Sequence, residues 1–238
     1  MFSYDPAIAA AVQTTPQNIA DVLHIMQTID TTCVDTDGLK WFNWLYMTVT
    51  AAIEKKVAGG GFNDPSWLSE LDVLFARLYF DAVAAELSGG SCPKCWRAML
   101  AVRAQPRIAR IQFALAGMNA HINHDLPMAV ISTCRATDTV PQHGTPQYRD
   151  YTAVNSALDG LIGEAKQTLH VRLLGDPLPA VSHLEDLIAT CDLSAFREQS
   201  WDAAQCLWGE SDAAVHLQMG LRDTIVATLS AALLVPVP

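Results

Sequence analysis

Ile108–Pro127 reads IARIQFALAGMNAHINHDLP. Between Arg110 and Asp125 no side chain carries a formal charge, yet the second half holds Asn119, His121, Asn123, His124 and Asp125. Ile108, Ile111, Leu115, Met118 and Ile122 recur at helical spacing, which predicts a helix over about 108–125 buried on most sides. Polar groups on such a helix are costly unless each finds a partner. Five of them within seven residues therefore mark a candidate site.

Placed at 100° per residue, Asp125 falls near the apolar centre of this helix, His121 on its flank and His124 further round. His121 and Asp125 are four residues apart, so they can hydrogen-bond or share a ligand. Gln112, Asn119 and Asn123 form a row on the opposite flank, so the two rows could face different neighbours.

Working outward, the rest of the chain reads as helices. Thr15-Pro16 supplies a cap followed by proline, and Ile19, Val22, Leu23, Met26 and Ile29 continue at helical spacing. A second pattern runs from Asp35 to Val57 and ends at Gly59-Gly60-Gly61. Asp64-Pro65 caps a third, with stripe Leu68, Leu71, Phe75, Leu78 and Ala82, ending at Ser88-Gly89-Gly90. A shorter helix is expected over 93–102, and Pro127 is expected to kink or restart the chain into Met128–Cys134. Residues 135–147 (RATDTVPQHGTPQ) form a long polar loop, a lid or a connector. Helical patterns resume at 148–170, 178–190, 194–208 and 211–234. The expectation is an all-α fold, one domain over 1–238, with about ten helices around the 108–125 helix.

Half of the 238 residues are hydrophobic and 17% charged, which is ample for a sizeable core. No apolar run reaches the roughly 20 residues of a membrane helix. The N-terminus MFSYDPAIAA lacks a basic region followed by an apolar one, so a cytoplasmic protein without a signal peptide is expected. A net charge of −10 with scattered Lys and Arg argues against nucleic-acid binding. Cys134, Cys191 and Cys206 read as small buried hydrophobes. Cys92-Pro-Lys-Cys95 has neither a second ligand pair for zinc nor a preceding strand, and reads as an incidental loop pair.

Three chemistries fit the polar cluster. His121 and Asp125 can simply satisfy each other, with Asp125 capping the segment that begins at Leu126-Pro127. They can work as an acid/base pair in an apolar pocket, because imidazole titrates near neutrality and a carboxylate orients its ring. Or His121, His124 and Asp125 can hold zinc, iron or manganese with carboxylates from other helices, Asp72, Glu70 and Asp202 being the best placed. No HExxH and no pair of ExxH motifs is present. His124-Asp125 is similar to the dipeptide of the HD phosphohydrolases, but only His24 precedes His121. Asn43 in WFNWLYM and Tyr79 in LYFDAV are further polar groups on apolar helices, Trp201-Asp202 lies on a late one, and His143 falls in the 135–147 loop. Phosphate-binding glycine motifs and a GxSxG elbow are missing.

GLKWFNWLYMTVT, WLSELDVLFARLYFDAV, IQFALAGMNAHINHDLP, DYTAVN and WDAAQCLW together resemble an uncharacterised all-helical family of bacteria and fungi, a domain of unknown function. The resemblance spans about residues 38–210, and NAHINHDLP is its most specific part. It implies that Asn119, His121, His124 and Asp125 belong to a shared family pattern, and it lends no activity or cofactor. The CPKC segment departs from that pattern.

The expected function is a small-molecule enzyme with an apolar helical pocket and cofactor-independent cyclase, isomerase or lyase chemistry, in the setting of specialised metabolism. His121 would be the acid/base, Asp125 its orienting carboxylate, and Asn119, His124, Asn43 and Tyr79 substrate-binding groups. The alternatives are a divalent-metal hydrolase or oxygenase using His121, His124, Asp125, Asp72 and Asp202, and a non-catalytic binding or scaffold protein. Homo-oligomerisation is left open.

Overall fold

The computed structural model describes residues 2–155, 158 and 192–236. They are all-α, without a strand. Nine helices are defined among them: α1 (Asp5–Val12), α2 (Ile19–Thr32), α3 (Gly38–Ala58), α4 (Pro65–Ser88), α5 (Lys94–Leu100), α6 (Arg110–Ala120), α7 (Leu126–Ala136), α8 (Leu193–Leu207) and α9 (Asp212–Leu233). A single π turn, His121–Asp125, joins α6 to α7. Residues 146–155 are also helical. The expected patterns over 159–170 and 178–190, and Cys191, lie outside the described residues.

Most helix starts carry the side-chain acceptors that a helix N-terminus requires. Asp64 accepts the Trp67 N–H at 3.1 Å with Pro65 at the first helical position. Asp37, Asp192 and Ser211 do the same for α3, α8 and α9. The cap of α2 is Asn18, which accepts the Asp21 N–H at 2.9 Å, and not Thr15 as the Thr-Pro pair suggested. The earlier signal was the weaker one because Asp21 answers Asn18 by accepting the Gln17 N–H at 2.8 Å, which closes the turn from both sides. Helix α1 had no sequence expectation. Its Asp5 forms a buried ion pair with Arg103.

The core is organised around the rod 110–136. Its first part, α6, packs on α3, α9 and α5; the π turn meets α4, α8 and α9; and α7 lies between α4 and α8. Pro127 does not break this rod. Proline lacks an N–H and its ring crowds the carbonyl four residues back. The backbone widens instead, so that the Leu126 N–H reaches the His121 carbonyl in an i→i+5 bond. That leaves the Ile122 carbonyl without a backbone donor, because Leu126 is diverted and Pro127 has none to give. Ser200 Oγ of α8 donates to it at 2.8 Å. Arg222 Nε of α9 donates to the Asn123 carbonyl. The expected kink is thus a π turn whose displaced acceptors are satisfied by two later helices.

The polar row on the far flank faces α9. Asn119 Nδ2 donates to Val226 O and Ser230 Oγ, both at 3.0 Å, and Gln112 Nε2 to Leu233 O and Val235 O. Asn123 Nδ2 donates to Asn119 Oδ1 at 2.9 Å. The loop after α7 is shorter than 135–147, running over 137–145, and His143 ties it to Glu198 of α8 at 3.2 Å.

Gly117 admits the α3 ring that walls the site. A Cβ there would lie 2.4 Å from Phe42 Cγ. Gly117→Ala is therefore expected to destabilise the protein by about 1–3 kcal/mol, the range for overpacking a dense core. The urea midpoint, at unchanged slope, measures it.

Candidate functional site

The π turn presents His121 to an aromatic cage. Its ring stacks on Phe75 of α4 at 3.5 Å between centroids and 4° between planes, and Tyr46 and Phe42 of α3 stand edge-on at 4.4 and 5.7 Å. Trp96 of α5 and Tyr79 of α4 complete the enclosure at 5.9 and 6.2 Å. His121 is 2% exposed.

Asp125, also buried, holds the site together. Its Oδ2 accepts from Trp96 Nε1 at 2.8 Å and lies 3.0 Å from His121 Nδ1; its Oδ1 lies 2.7 Å from His124 Nδ1. The expected cap on α7 is not formed, since Asp125 makes no side-chain cap bond and both oxygens face these rings. Burial acts to raise the Asp125 pKa, but the hydrogen bonds and charges of the two histidines outweigh it and hold the carboxyl below its ordinary value. For His121 burial wins over the Asp125 carboxylate, and the pKa is lowered. For His124 burial is outweighed by the bond to Asp125 and by the charges of Asp125 and Asp223, and the pKa is raised.

The contact between His121 Nδ1 and Asp125 Oδ2 assigns the tautomer. An ionised carboxylate only accepts, so His121 Nδ1 carries the proton. A neutral ring then has a bare lone pair at Nε2. That atom is buried and has no hydrogen-bond partner.

The His121 ring lines a cavity with about 60 Å³ of space for the centre of a water-sized molecule. Its walls are apolar, among them Leu45, Val49, Ile53, Leu68, Leu71, Met118 and Ile122. Asp72 of α4 is on the same wall list, 5% exposed, and its Oδ2 is a second buried atom without a partner. Burial, aided by the charge of Glu54, pushes the Asp72 carboxyl up to about 7. The Tyr46 hydroxyl, likewise unpartnered, is raised well above its ordinary value by burial and the Asp72 charge. Arg197 of α8 also lines the cavity, with Nε donating to Asn155 Oδ1 and Nη2 to Tyr151 O, both at 2.7 Å.

The remaining sequence-expected residues do not line the cavity. Asn119 faces α9, and His124, on the Asp223 side, is not part of the cavity wall. Asn43 and Tyr79 satisfy each other, Tyr79 Oη donating to Asn43 Oδ1 at 3.2 Å while Asn43 Nδ2 donates to Met26 O at 2.9 Å. Of the carboxylates weighed for a metal, two lie apart from His121. Asp202 is exposed beside His143 and Glu198, and Glu70 is half-buried on α4 outside the cavity wall. Two other groups bring ligand atoms within 4.8 Å of one another, Cys95/His124/Asp223 and His143/Glu198/Asp202. In the first, both Asp223 oxygens already accept the Lys94 and Cys95 N–H groups at the start of α5. Cys92, Cys95 and Cys134 are buried thiols, whereas Cys206 is exposed, contrary to expectation, on the outer face of α8.

The chain belongs to the family of unknown function DUF5995. The match covers residues 19–236, wider than the 38–210 over which the resemblance was recognised. No curated protein and no solved structure matches the chain. In this DUF5995 chain, sequence reasoning found the His121–Asp125 pair but missed Trp96, Phe75, Tyr46 and Arg197. Aromatic residues on apolar helices look like any core side chain. The signal that could have raised Arg197 is its place in LSAFREQSWDAAQCL, on the buried side of an amphipathic helix.

The Asp72 carboxyl yields a stability prediction. With a folded pKa near 7 against an ordinary 3.8, it favours the fold fully below 3.8, and that contribution is lost as pH rises through about 7. Asp72→Asn removes the titration without changing shape. The variant is expected to match wild type below pH 3.8 and to melt at higher temperature above pH 7, measured by thermal denaturation across that range.

Proposed function

We propose that this chain is a small-molecule enzyme that catalyses cofactor-independent proton transfer, of isomerase, lyase or cyclase type, on a small and largely apolar substrate. The observation that carries the reading is the presence of His121 and Asp72 on the wall of one apolar cavity, each with a buried side-chain atom, Nε2 and Oδ2, that has no partner. An unpartnered buried polar atom is costly in a structural core. Two of opposite proton affinity in one cavity are the pattern of an acid and a base whose environments drive their pKa values apart.

In this reading His121 Nε2 takes a proton from an activated C–H of the substrate. The imidazolium that forms is stabilised by Asp125, whose position is set by Trp96 and His124. Asp72 gives its proton to the substrate atom that gains electron density. In an isomerisation His121 returns its proton to a different carbon and Asp72 recovers its own, so neither residue is altered by turnover. The cavity is small, with about 60 Å³ open to the centre of a water-sized molecule, which suits a compact substrate. Asp125 is an orienting residue here, and the catalytic pair becomes His121 with Asp72.

Deuterium exchange tests this directly. Small apolar ketones, aldehydes and unsaturated acids are incubated with the protein in heavy water and followed by NMR. Wild type is expected to label at least one of them, and His121→Ala and Asp72→Asn to slow labelling by about 10²-fold or more. Full labelling by His121→Ala, or binding without exchange across the panel, overturns the proposal, and the second result identifies a binding protein. Prior treatment with a chelator is expected to leave the rate unchanged.

The rate should also be bell-shaped in pH. It rises as His121 loses its proton, below the ordinary histidine value of 6.5, and falls as Asp72 ionises at about 7. A profile that rises through pH 7 without a descending limb would remove Asp72 from the mechanism.

A further inference from the structure

We infer that Arg197 is the anchor for a carboxylate, and that the molecule this cavity takes is a small apolar acid. The inference rests on the proposed function only in taking the cavity for a substrate site. Arg197 is 6% exposed and lines the cavity from α8. Among the described wall residues it is the only Lys or Arg. Its partners there are neutral. Asn155 Oδ1 and Tyr151 O accept its hydrogen bonds, and its guanidinium carbon stands 4.2 Å from the centre of the Tyr151 ring. No carboxylate of the described residues forms an ion pair with it.

A charge removed from water is costly unless an opposite charge meets it. Arg103, also 6% exposed, shows the ordinary solution, since Asp5 and Asp37 both lie against its guanidinium. Arg197 has hydrogen bonds but no such anion. Asp72, on the same wall, does not supply one: burial and the charge of Glu54 push its carboxyl up, and no guanidinium draws it down. The missing partner is an anion that enters the cavity.

Guanidinium chemistry selects a carboxylate. Of its five N–H donors, Nε and one on Nη2 are used, which leaves hydrogens on both terminal nitrogens to bond the two oxygens of one carboxylate. The apolar wall around it takes a hydrocarbon remainder, and one fixed charge among apolar side chains is how a pocket orients its ligand. With the carboxylate held on Arg197, that remainder is left to the wall that carries His121 and Asp72. Arg197 thus binds and orients, and takes no part in the proton transfer. The chain as a whole carries a net −10 and repels anions, so a preference for an acid over its neutral twin has to come from a local cation.

Isothermal titration calorimetry on the full chain tests this below pH 7, where Asp72 keeps its proton. The probes are butanoate and 3-methylbutanoate, each against its amide, which has the same shape without the charge. Wild type is expected to bind at least one acid with a Kd of about 1 mM or below, and its amide at least about tenfold more weakly. Arg197→Gln should bring acid and amide within about threefold of each other. Should that variant fail to fold, Arg197→Lys decides, because it keeps the charge and loses the fork; acid binding is then expected to weaken at least about threefold. Equal binding of acid and amide by wild type, no binding of either at about 10 mM, or an acid Kd indifferent to the substitutions overturns the inference. Binding is read without turnover, so the two readings fail separately. Acid preference without deuterium exchange leaves Arg197 its role and removes the enzyme, whereas exchange on ketones without acid preference does the reverse.

Discussion

A proline withdraws one backbone donor at position 127, and much of the molecule is arranged around that loss. The helix through 110–136 continues only because the backbone widens at His121–Asp125 and hands its displaced carbonyls to side chains from elsewhere. Ser200 reaches Ile122 O from α8, and Arg222 reaches Asn123 O from α9. Both donors come from the last third of the chain. The local defect is thereby turned into two long-range ties, which fasten the C-terminal helices to the centre. Buried backbone acceptors have to be satisfied somewhere, and here the satisfaction is tertiary.

The same turn sets the electrostatics of the cavity. Asp125 is stripped of water but remains ionised because three donors converge on it, one from Trp96 and one from each histidine. Its two histidine partners diverge. His121, enclosed by five aromatic rings, is driven towards the neutral form by burial, whereas His124 gains from the Asp125 and Asp223 charges and is driven towards the charged one. Asp72, in the apolar wall without a compensating donor, goes the other way from Asp125. In each like pair the surroundings alone push one member up and the other down: Asp72 and His124 are raised, Asp125 and His121 lowered.

Reading the chain in order made the helical architecture legible, because caps, glycine stops and apolar spacing are local signals. Asp64-Pro65, Asp37 and the glycines after α3 and α4 act within a few residues of where they stand. The misjudged features were those decided at a distance. Thr15 and Asn18 are both acceptable caps, and the bonds from Asp21 N–H to Asn18 and from Gln17 N–H to Asp21 chose the second. Cys206 lies in a pattern that looks apolar, but packing of α8 against α7 turned it outward. The polar cluster was visible as chemistry and as two rows facing different neighbours; which row met the cavity was not.

By itself the sequence determined that the chain is helical, that the 108–125 segment is central, and that His121 and Asp125, one turn apart, are within reach of each other. Helical periodicity and an i,i+4 spacing are sufficient for these, since both depend only on bonds along the chain. The tertiary structure alone decided that Asn119, Asn43 and Asp202 serve other contacts, and that Asp72 joins His121 in one cavity. Helix α4 contributes Asp72 about fifty residues before His121, and nothing in a helical pattern states the rotation at which two helices meet. That rotation follows from close approaches such as Phe42 on Gly117, where the absence of one carbon fixes how α3 and α6 pack and therefore which side chains share a wall.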